Sequence, residues 1–317
     1  MARVLITGAS GFLGGALSRH LAREGWDVLA SGRDREKLET LPCDTIAHDL
    51  AHGPLPSGPI DALVHCAALS SPSGPLADFE AANVIGTQNA LLTAQQNGAV
   101  KFVHVSSPTV YFAMRDQEHV VETFPLPPPI NHYARTKAKA ETLVRNAPDL
   151  APVILRPRGI YGAGDTALLP RMSAAAKSGP LPLLRGGVAS IDLTHVSDVC
   201  AAIQAALTIT EAANHTFNIS SGEPLLVRDI VARACAPLGI TPRWRSLPMG
   251  AARVLARALE ATCAALPHQP EPRITPYTLG LFAYRQSLDI SKAHKLLGWS
   301  PRMTFEAGLA ETFGGKT

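Results

Sequence analysis

The chain has 317 residues, 46% of them apolar and 17% charged, which is enough to build more than one small core. A formal charge of only +3, with the basic residues scattered and neither aromatic–basic interleaving nor zinc-finger spacing, excludes nucleic acid as a partner. Five cysteines (Cys43, Cys66, Cys200, Cys235 and Cys263) are odd in number and contain no C-x-x-C, so free thiols in a reducing cytoplasm and no metal site are expected. No apolar run is long enough to span a bilayer.

In chain order, the first strand is expected at Val4–Thr7, beginning so early that no targeting peptide fits before it. It runs into Gly8-Ala-Ser-Gly-Phe-Leu-Gly14, three glycines spaced G-x-x-G-x-x-G, and then an amphipathic stretch to Glu24. Glycine permits the tight turn and lets backbone N–H groups approach a pyrophosphate, and the helix N-terminus adds orphan donors and a positive dipole end. Strand before and helix after are the context this motif requires. Further strands are expected at Asp27–Ser31, Thr45–Ala47, Ala62–Ala67, Phe102–Ser106 and Val153–Arg156, with helices at about Phe79–Asn97 and Tyr133–Asn146. This alternation predicts an α/β fold: a Rossmann-type, doubly wound parallel sheet with a smaller C-terminal lobe.

After Pro157, Gly162, Gly164, Pro170, Gly179, Pro180, Pro182, Gly186 and Gly187 break the chain often, which implies loops and short elements. A strand at Thr216–Ile219 and a helix from about Arg228 follow. Met249–Leu266, with Arg253, Arg257 and Glu260 on one face, reads as an amphipathic helix lying on a core, and a proline-rich stretch runs from Pro267 to Pro276. Residues 1–165 are therefore expected to form the dinucleotide-binding domain, with a segment at about 190–222 returning to it, and residues 166–317 mainly a substrate lobe. Asn214-His-Thr and Asn218-Ile-Ser match the glycosylation pattern by chance.

The second informative constellation is Tyr133-Ala-Arg-Thr-Lys137. Residues four apart share a helix face, so the ammonium would sit near the phenol, lower its pKa and make it a working acid–base group. Ser106 and Ser107 close the fifth strand, where a hydroxyl would bind a substrate oxygen.

At this point the chain resembles the extended short-chain dehydrogenase/reductase superfamily over nearly its whole length. The resemblance rests on Thr7–Gly14, Asp49-Leu50, His65-Cys-Ala-Ala68, Asn83-Val-Ile-Gly-Thr87, Ser106–Tyr111, Tyr133-x-x-x-Lys137, Arg156-Pro-x-x-Ile-Tyr-Gly162, Asp192-x-x-His-Val196 and Leu297–Pro301. It implies that Tyr133 is the acid or base, that Lys137 holds the nicotinamide ribose, that Ser107 orients the substrate oxygen, and that Asn83 supports a water-mediated proton path or simply makes a bond inside its helix. It also implies cofactor contacts from Gly8, Ser10, Gly11, Phe12, Leu13, Gly14, Ser31, Arg33, Asp49, Leu50, Ala67, Ala68, Ser106 and Pro157, with Asp49 accepting from the adenine amine. Asp192 and His195 read as structural. Many members dimerise through the tyrosine helix and the helix at 79–97, so a homodimer is expected.

The second strand ends Ser31-Gly32-Arg33-Asp34, with glycine where NAD-binding members carry an acid. Arg33 and Ser31 suit a 2′-phosphate, so NADP(H) is expected, while Asp34 would admit NAD if it turned inward. Two arginines with which relatives grip a nucleotide-sugar diphosphate are missing: Ile191 stands before Asp192, and Thr278–Leu281 precedes the Asp289–Ala293 motif. Arg185 and Arg285 remain as substitutes. Arg156–Asp165, Leu168–Arg171 and Pro272–Thr278 are similar to the branch of 3β-hydroxysteroid dehydrogenases, decarboxylating sterol dehydrogenases and 2-alkyl-3-oxoalkanoate reductases. The expected activity is ketone–alcohol interconversion on a hydrophobic, steroid-like or oxoacyl small molecule. The alternatives are a nucleotide-sugar epimerase or dehydratase using bound NAD(P), and a cofactor-sensing binding protein.

Overall fold

The computed structural model describes residues 2–71, 73–266, 272 and 274–314. Most of the proline-rich stretch (267–271) and position 273 of the Pro272–Thr278 motif lie outside the described residues.

Seven short apolar runs form one all-parallel sheet: β1 (Arg3–Thr7), β2 (Asp27–Gly32), β3 (Asp44–Ala47), β4 (Ala62–His65), β5 (Lys101–Val105), β7 (Val153–Pro157) and β12 (Thr216–Ile219), the intervening β6 (Gln117–Val120) lying elsewhere. Their order is β12-β7-β5-β4-β1-β2-β3. Successive side chains alternate between two cores, as the pleat requires. Val4, Ile6, Val28, Val64, Val103 and Leu155 pack with Leu17 and Leu21 of the helix Phe12–Arg23 and with Val199 and Ile203 of the helix Val196–Thr208. Leu5, Leu63, Phe102 and Ile154 face the other way, toward Ala90 and Leu91 of Gly86–Gln96 and Val144 of His132–Arg145. Burial on both faces makes these strands continuous apolar runs.

The remaining strands are short: β8 (Ile160–Tyr161), β9 (Leu181–Leu183), β10 (Ser190–Ile191), β11 (Thr194–His195), β13 (Leu225–Leu226), β14 (Trp244–Ser246) and β15 (Arg285–Leu288). They form a mixed sheet β13-β10-β15-β6 and the pairs β11-β8 and β14-β9. Around them Leu169, Ile191, Leu193, Ile230, Val231, Phe305 and Leu309 build a separate core.

Two differences from the sequence reading have clear causes. Pro170 opens a helix, Leu169–Ser178, because a proline at the first turn lacks only an N–H that has no partner there anyway, and Asp165 caps it by accepting from Ala167, Leu168 and Leu169. The fourth strand stops at His65 because Cys66 and Ala67 turn away to lie against the glycine turn. The amphipathic helix at Met249–Ala265 rests on a core through Ala252 and Ala256, against Leu184, Leu279 and Ala283. Among the described residues no helix is long and apolar enough to cross a membrane. Asn218 is fully buried in β12, out of reach of a glycosyltransferase.

Candidate active site

The glycine turn sits at the carboxyl ends of β1, β2 and β4, and its shape depends on missing side chains. Gly8 has φ +72°, and a Cβ there would lie 2.6 Å from the Ala67 backbone nitrogen. A Cβ at Gly14 would strike the Gly8 carbonyl oxygen, and one at Gly32 would lie 2.5 Å from Ser10 Oγ and 2.9 Å from Ser10 N. The turn is tied to β2 by Ala9 N–H donating to the Ser31 carbonyl at 2.8 Å, and to itself by Gly11 N–H donating to the Gly8 carbonyl at 3.0 Å. Phe12 and Leu13 then open the helix, whose first turn has no acidic residue. Such a cradle fits a pyrophosphate on a helix N-terminus. Gly14→Ala, which cannot be accommodated without moving backbone, should weaken dinucleotide binding tenfold or more, on the order of the 1.4 kcal/mol that a factor of ten represents, measurable by calorimetry with the folded chain.

At the adenosine end the side chains sort themselves. Gly32 is filled by the approach of Ser10, so no acid would fit at that strand end. Asp34 caps the next short helix by accepting from Lys37 N–H at 3.2 Å and pairs with Lys37 Nζ at 2.9 Å, and these bonds hold its carboxyl below the usual value. Arg33 is exposed, its guanidinium 4.0 Å from Asp49, whose other oxygen accepts from Ala51 N–H at 3.0 Å. Leu50 is buried beside it, while Ser31 is only 2% exposed. Ala67 and Ala68 follow β4 beneath the turn, and Pro157 ends β7 opposite Ile219.

Ser107 follows β5 and caps the short turn Pro108–Tyr111 by accepting from Thr109 N–H at 3.2 Å. Asn131 caps the tyrosine helix by accepting from Ala134 N–H at 2.8 Å, which sets Tyr133 in its first turn. Burial pushes the Tyr133 phenol up to about 12, with Ser107 acting the other way. Lys137 stands one turn further along the same helix. It is 2% exposed and its Nζ donates to the Val105 carbonyl at 2.6 Å and lies 3.2 Å from His104 Nε2. Burial brings this lysine down to about 8, opposed by Glu141 and Cys66.

Asn83 lies in a π-type stretch, Glu80–Ile85, inside the long helix between Leu76 and Gln96. Its side-chain oxygen accepts from Leu69 N–H at 2.7 Å, and its amide donates to the Leu69 carbonyl at 3.1 Å and to Thr136 Oγ1 at 3.0 Å. The Ser106 hydroxyl is turned inward, donating to Glu141 at 2.6 Å, and so faces away from the cofactor cleft. His195 caps its helix through Ser197, and Asp192 accepts from Leu288 N–H at 3.0 Å near Arg158.

Three residues to which the sequence assigns no role complete the neighbourhood. Thr109 Oγ1 is 2.9 Å from Ser107 Oγ and 3.3 Å from the hydroxyl of Tyr277, a residue from the other end of the chain. His104, buried on β5, stacks 5.4 Å from His65, which bridges Thr7 and Thr87 at 2.8 and 3.0 Å. Burial and then Lys137 bring His65 down to about 3, so it is neutral. The two arginines left as diphosphate grips are already paired. Arg185 donates to both oxygens of Asp116 at 2.7 and 2.9 Å, and Arg285 lies 3.6 Å from Asp116 and 3.5 Å from Glu118.

This sheet, with its cradle and the strand-end serine facing a helix tyrosine, is that of an NAD(P)-dependent enzyme of the extended short-chain dehydrogenase/reductase type. The sequence profile of the NAD dependent epimerase/dehydratase family matches residues 4–220, and the chain belongs to that family. A 4-hydroxy-2-methyl-3-oxo-4-farnesyl-3,4-dihydroquinoline-1-oxide ketoreductase of Stigmatella aurantiaca is 34% identical, over 97% of this chain and 94% of its own. A 2-alkyl-3-oxoalkanoate reductase of Stenotrophomonas maltophilia is 30% identical, over 97% of each chain. The crystal structure of UDP-glucuronic acid 4-epimerase from Bacillus cereus in complex with NAD superposes with a TM-score of 0.74 over 98% of this chain and 97% of that one; at 22% identity the likeness bears on the fold.

Proposed function

We propose that the protein is an NADP(H)-dependent oxidoreductase that interconverts a ketone and a secondary alcohol on a hydrophobic, steroid-like or oxoacyl substrate. One observation carries this reading: Arg185 and Arg285, the arginines left to grip a nucleotide-sugar diphosphate, are already paired with acids, Arg185 with Asp116 and Arg285 with Asp116 and Glu118. A site with Ser107 at the strand end and Tyr133 at the start of its helix suits protonation of a carbonyl oxygen. Two relatives, a ketoreductase and an oxoalkanoate reductase, support the same chemistry.

The glycine turn, Arg33 and Lys137 would hold the dinucleotide, with Asp49 toward the adenine. Bound there, the reduced nicotinamide supplies a hydride to the carbonyl carbon. Ser107 orients the carbonyl oxygen, and Tyr133 gives it a proton, or takes one in the reverse direction. Lys137, with two bonds made inward, has one N–H left to direct at the ribose. Asn83 keeps the tyrosine helix in register through Thr136.

NADP(H) is favoured over NAD because Gly32 leaves no room for an acid, Asp34 is held by its own helix, and Arg33 is exposed, with a long 4.0 Å ion pair to Asp49. Loss of a hydrogen bond to a charged group costs about 1.5–3 kcal/mol. Arg33→Ala should therefore weaken NADPH binding by roughly tenfold to a hundredfold and leave NADH binding nearly unchanged. Equal affinity of the wild-type protein for the two cofactors would contradict the assignment.

The division into residues 1–165, joined by the segment at about 190–222, and a substrate lobe over 166–317 belongs to the same proposal. So do a cytoplasmic location, which fits the free cysteines, and a homodimer through the helix at Leu76–Gln96 and the tyrosine helix. Ile85 (45% exposed) and Leu92 support the dimer. Light scattering at twice the chain mass is expected, and a monomer that dilution does not alter would refute it.

A further inference from the structure

Resting on the reading of Lys137 as the group that holds the nicotinamide ribose, we infer that His104 is a positioning residue for the cofactor. Its neutral imidazole, protonated on Nδ1, supplies the ring nitrogen that fixes the Lys137 ammonium in place.

The sheet sets the two buried histidines by register. On the face covered by the helices Gly86–Gln96 and His132–Arg145, Leu5, Leu63 and Phe102 form a row across β1, β4 and β5. Two residues further along each strand the row becomes Thr7, His65 and His104, all of them buried. An imidazole taken out of water needs partners for its nitrogens, so packing alone would favour carbon at both ring positions.

Hydrogen bonds fix where the ring protons sit. Thr87 donates its hydroxyl to the Asn83 carbonyl at 2.7 Å, so it can only accept from His65 Nε2, 3.0 Å away. His65 therefore carries its proton on Nε2, and its Nδ1 accepts from the Thr7 hydroxyl at 2.8 Å. In His104 the arrangement is reversed. An ammonium has donors only, so the Nε2 lying 3.2 Å from Lys137 Nζ is the acceptor and the proton is on Nδ1. That Nδ1 is buried and has no hydrogen-bond partner among the described residues. The ring thus leaves a donor unmet so as to offer its lone pair to the lysine; a proton on Nε2 would point at the ammonium and break the contact.

Charge points the same way. Burial, then Lys137, then His65 hold His104 well below the usual imidazole value. His65, stacked on it with centroids 5.4 Å apart, is brought down to about 3. Two neutral rings therefore stand beneath the ammonium. The Val105 carbonyl, 2.6 Å from Nζ, takes one N–H and His104 the second, which leaves the third for the ribose. With one anchor a flexible four-carbon stem swings about that bond, whereas two anchors hold Nζ and the direction of its third N–H.

His104→Phe keeps a buried ring and removes the acceptor; His104→Gln puts an amide oxygen near the place of Nε2. By calorimetry, His104→Phe should weaken NADPH binding about tenfold, the low end for loss of a hydrogen bond to a charged group, and His104→Gln should restore it to within about threefold of wild type. The double variant, His104→Phe with Lys137→Met, should bind no more weakly than Lys137→Met alone, because residues that act through one contact do not add. Losses that add, or a His104→Phe protein that binds NADPH as wild type does, would overturn the role of His104. A further measurement needs no substitution: nitrogen-15 spectra of the wild-type chain at neutral pH, with the His104 ring assigned through the backbone, should show a proton on Nδ1 and none on Nε2. A ring protonated on Nε2, or on both nitrogens, also overturns it. Wild-type NADPH affinity in Lys137→Met would instead overturn the reading of Lys137, and the cofactor role of His104 with it, whatever the spectrum shows of their contact.

Discussion

Tyr133→Phe should abolish turnover while leaving NADPH affinity within about twofold of wild type. A positioned acid contributes on the order of a hundredfold to ten-thousandfold, and among the described residues no carboxylic acid or imidazolium stands beside the Tyr133 phenol to replace it. Ser107 has no acidity to offer, and Lys137 is directed at Val105 and His104. The substitution removes a single oxygen from a half-buried position, so the fold should survive it. Undiminished turnover of a ketone by the phenylalanine variant would remove Tyr133 from the chemistry.

The second large effect is on stability. Glu141 and Arg156 form an ion pair that is almost wholly inside, with Glu141 fully buried and Arg156 1% exposed. The guanidinium donates Nε to one carboxylate oxygen at 2.7 Å and Nη2 to the other at 2.5 Å, and Arg145 and Ser106 add further donors at 2.7 and 2.6 Å. Burial works to raise the Glu141 carboxyl, but the bonds from Arg156 outweigh it and hold it below its usual value. Glu141→Ala leaves a buried guanidinium without a countercharge and should cost about 3–5 kcal/mol, read as a lowered urea midpoint with an unchanged slope. A double variant, Glu141→Leu with Arg156→Met, should cost less than Glu141→Ala alone. Because the folded pKa of Glu141 is lowered, its stabilisation is present above the unfolded value and is lost as pH falls through the folded one. A Glu141→Ala protein as stable as wild type would show that the pair contributes only to specificity.

This pair also explains part of what the sequence concealed. Arg156 and Glu141 lie on different elements with no motif in common, yet together they hold the end of β5 and so the position of Ser107. Much else was legible. Short runs between turn signals mark all seven strands of the large sheet to within a residue or two at each end; for the inner strands burial on both faces leaves few polar positions to blur them, whereas the edge strand β3 is largely exposed. Gly8, Gly14 and Gly32 are readable because a backbone at +72° or a close approach admits no side chain.

For Lys137 the four-residue spacing gives its rotation about the helix relative to Tyr133, but it cannot reveal that a buried ammonium finds a strand carbonyl 2.6 Å away. At a strand end adjacent side chains face opposite sides, so the sequence pair Ser106-Ser107 does not by itself disclose that the Ser106 hydroxyl turns to Glu141. Thr109 and Tyr277 were invisible as a pair. They are 168 positions apart, and only folding the C-terminal lobe over the strand ends makes them neighbours. Helix Leu169–Ser178 was lost among glycines and prolines, although Asp165 four residues ahead and Pro170 in the first turn are start signals.

The most direct test follows deuterium from labelled NADPH into a 2-alkyl-3-oxoalkanoate, with UDP-glucuronic acid and NAD as the competing pair. The account predicts consumption of one NADPH per alcohol formed, with one deuterium on the carbinol carbon, and no change in the sugar nucleotide. Epimerised sugar with no net cofactor consumption, and no reduction of the ketone, would contradict it.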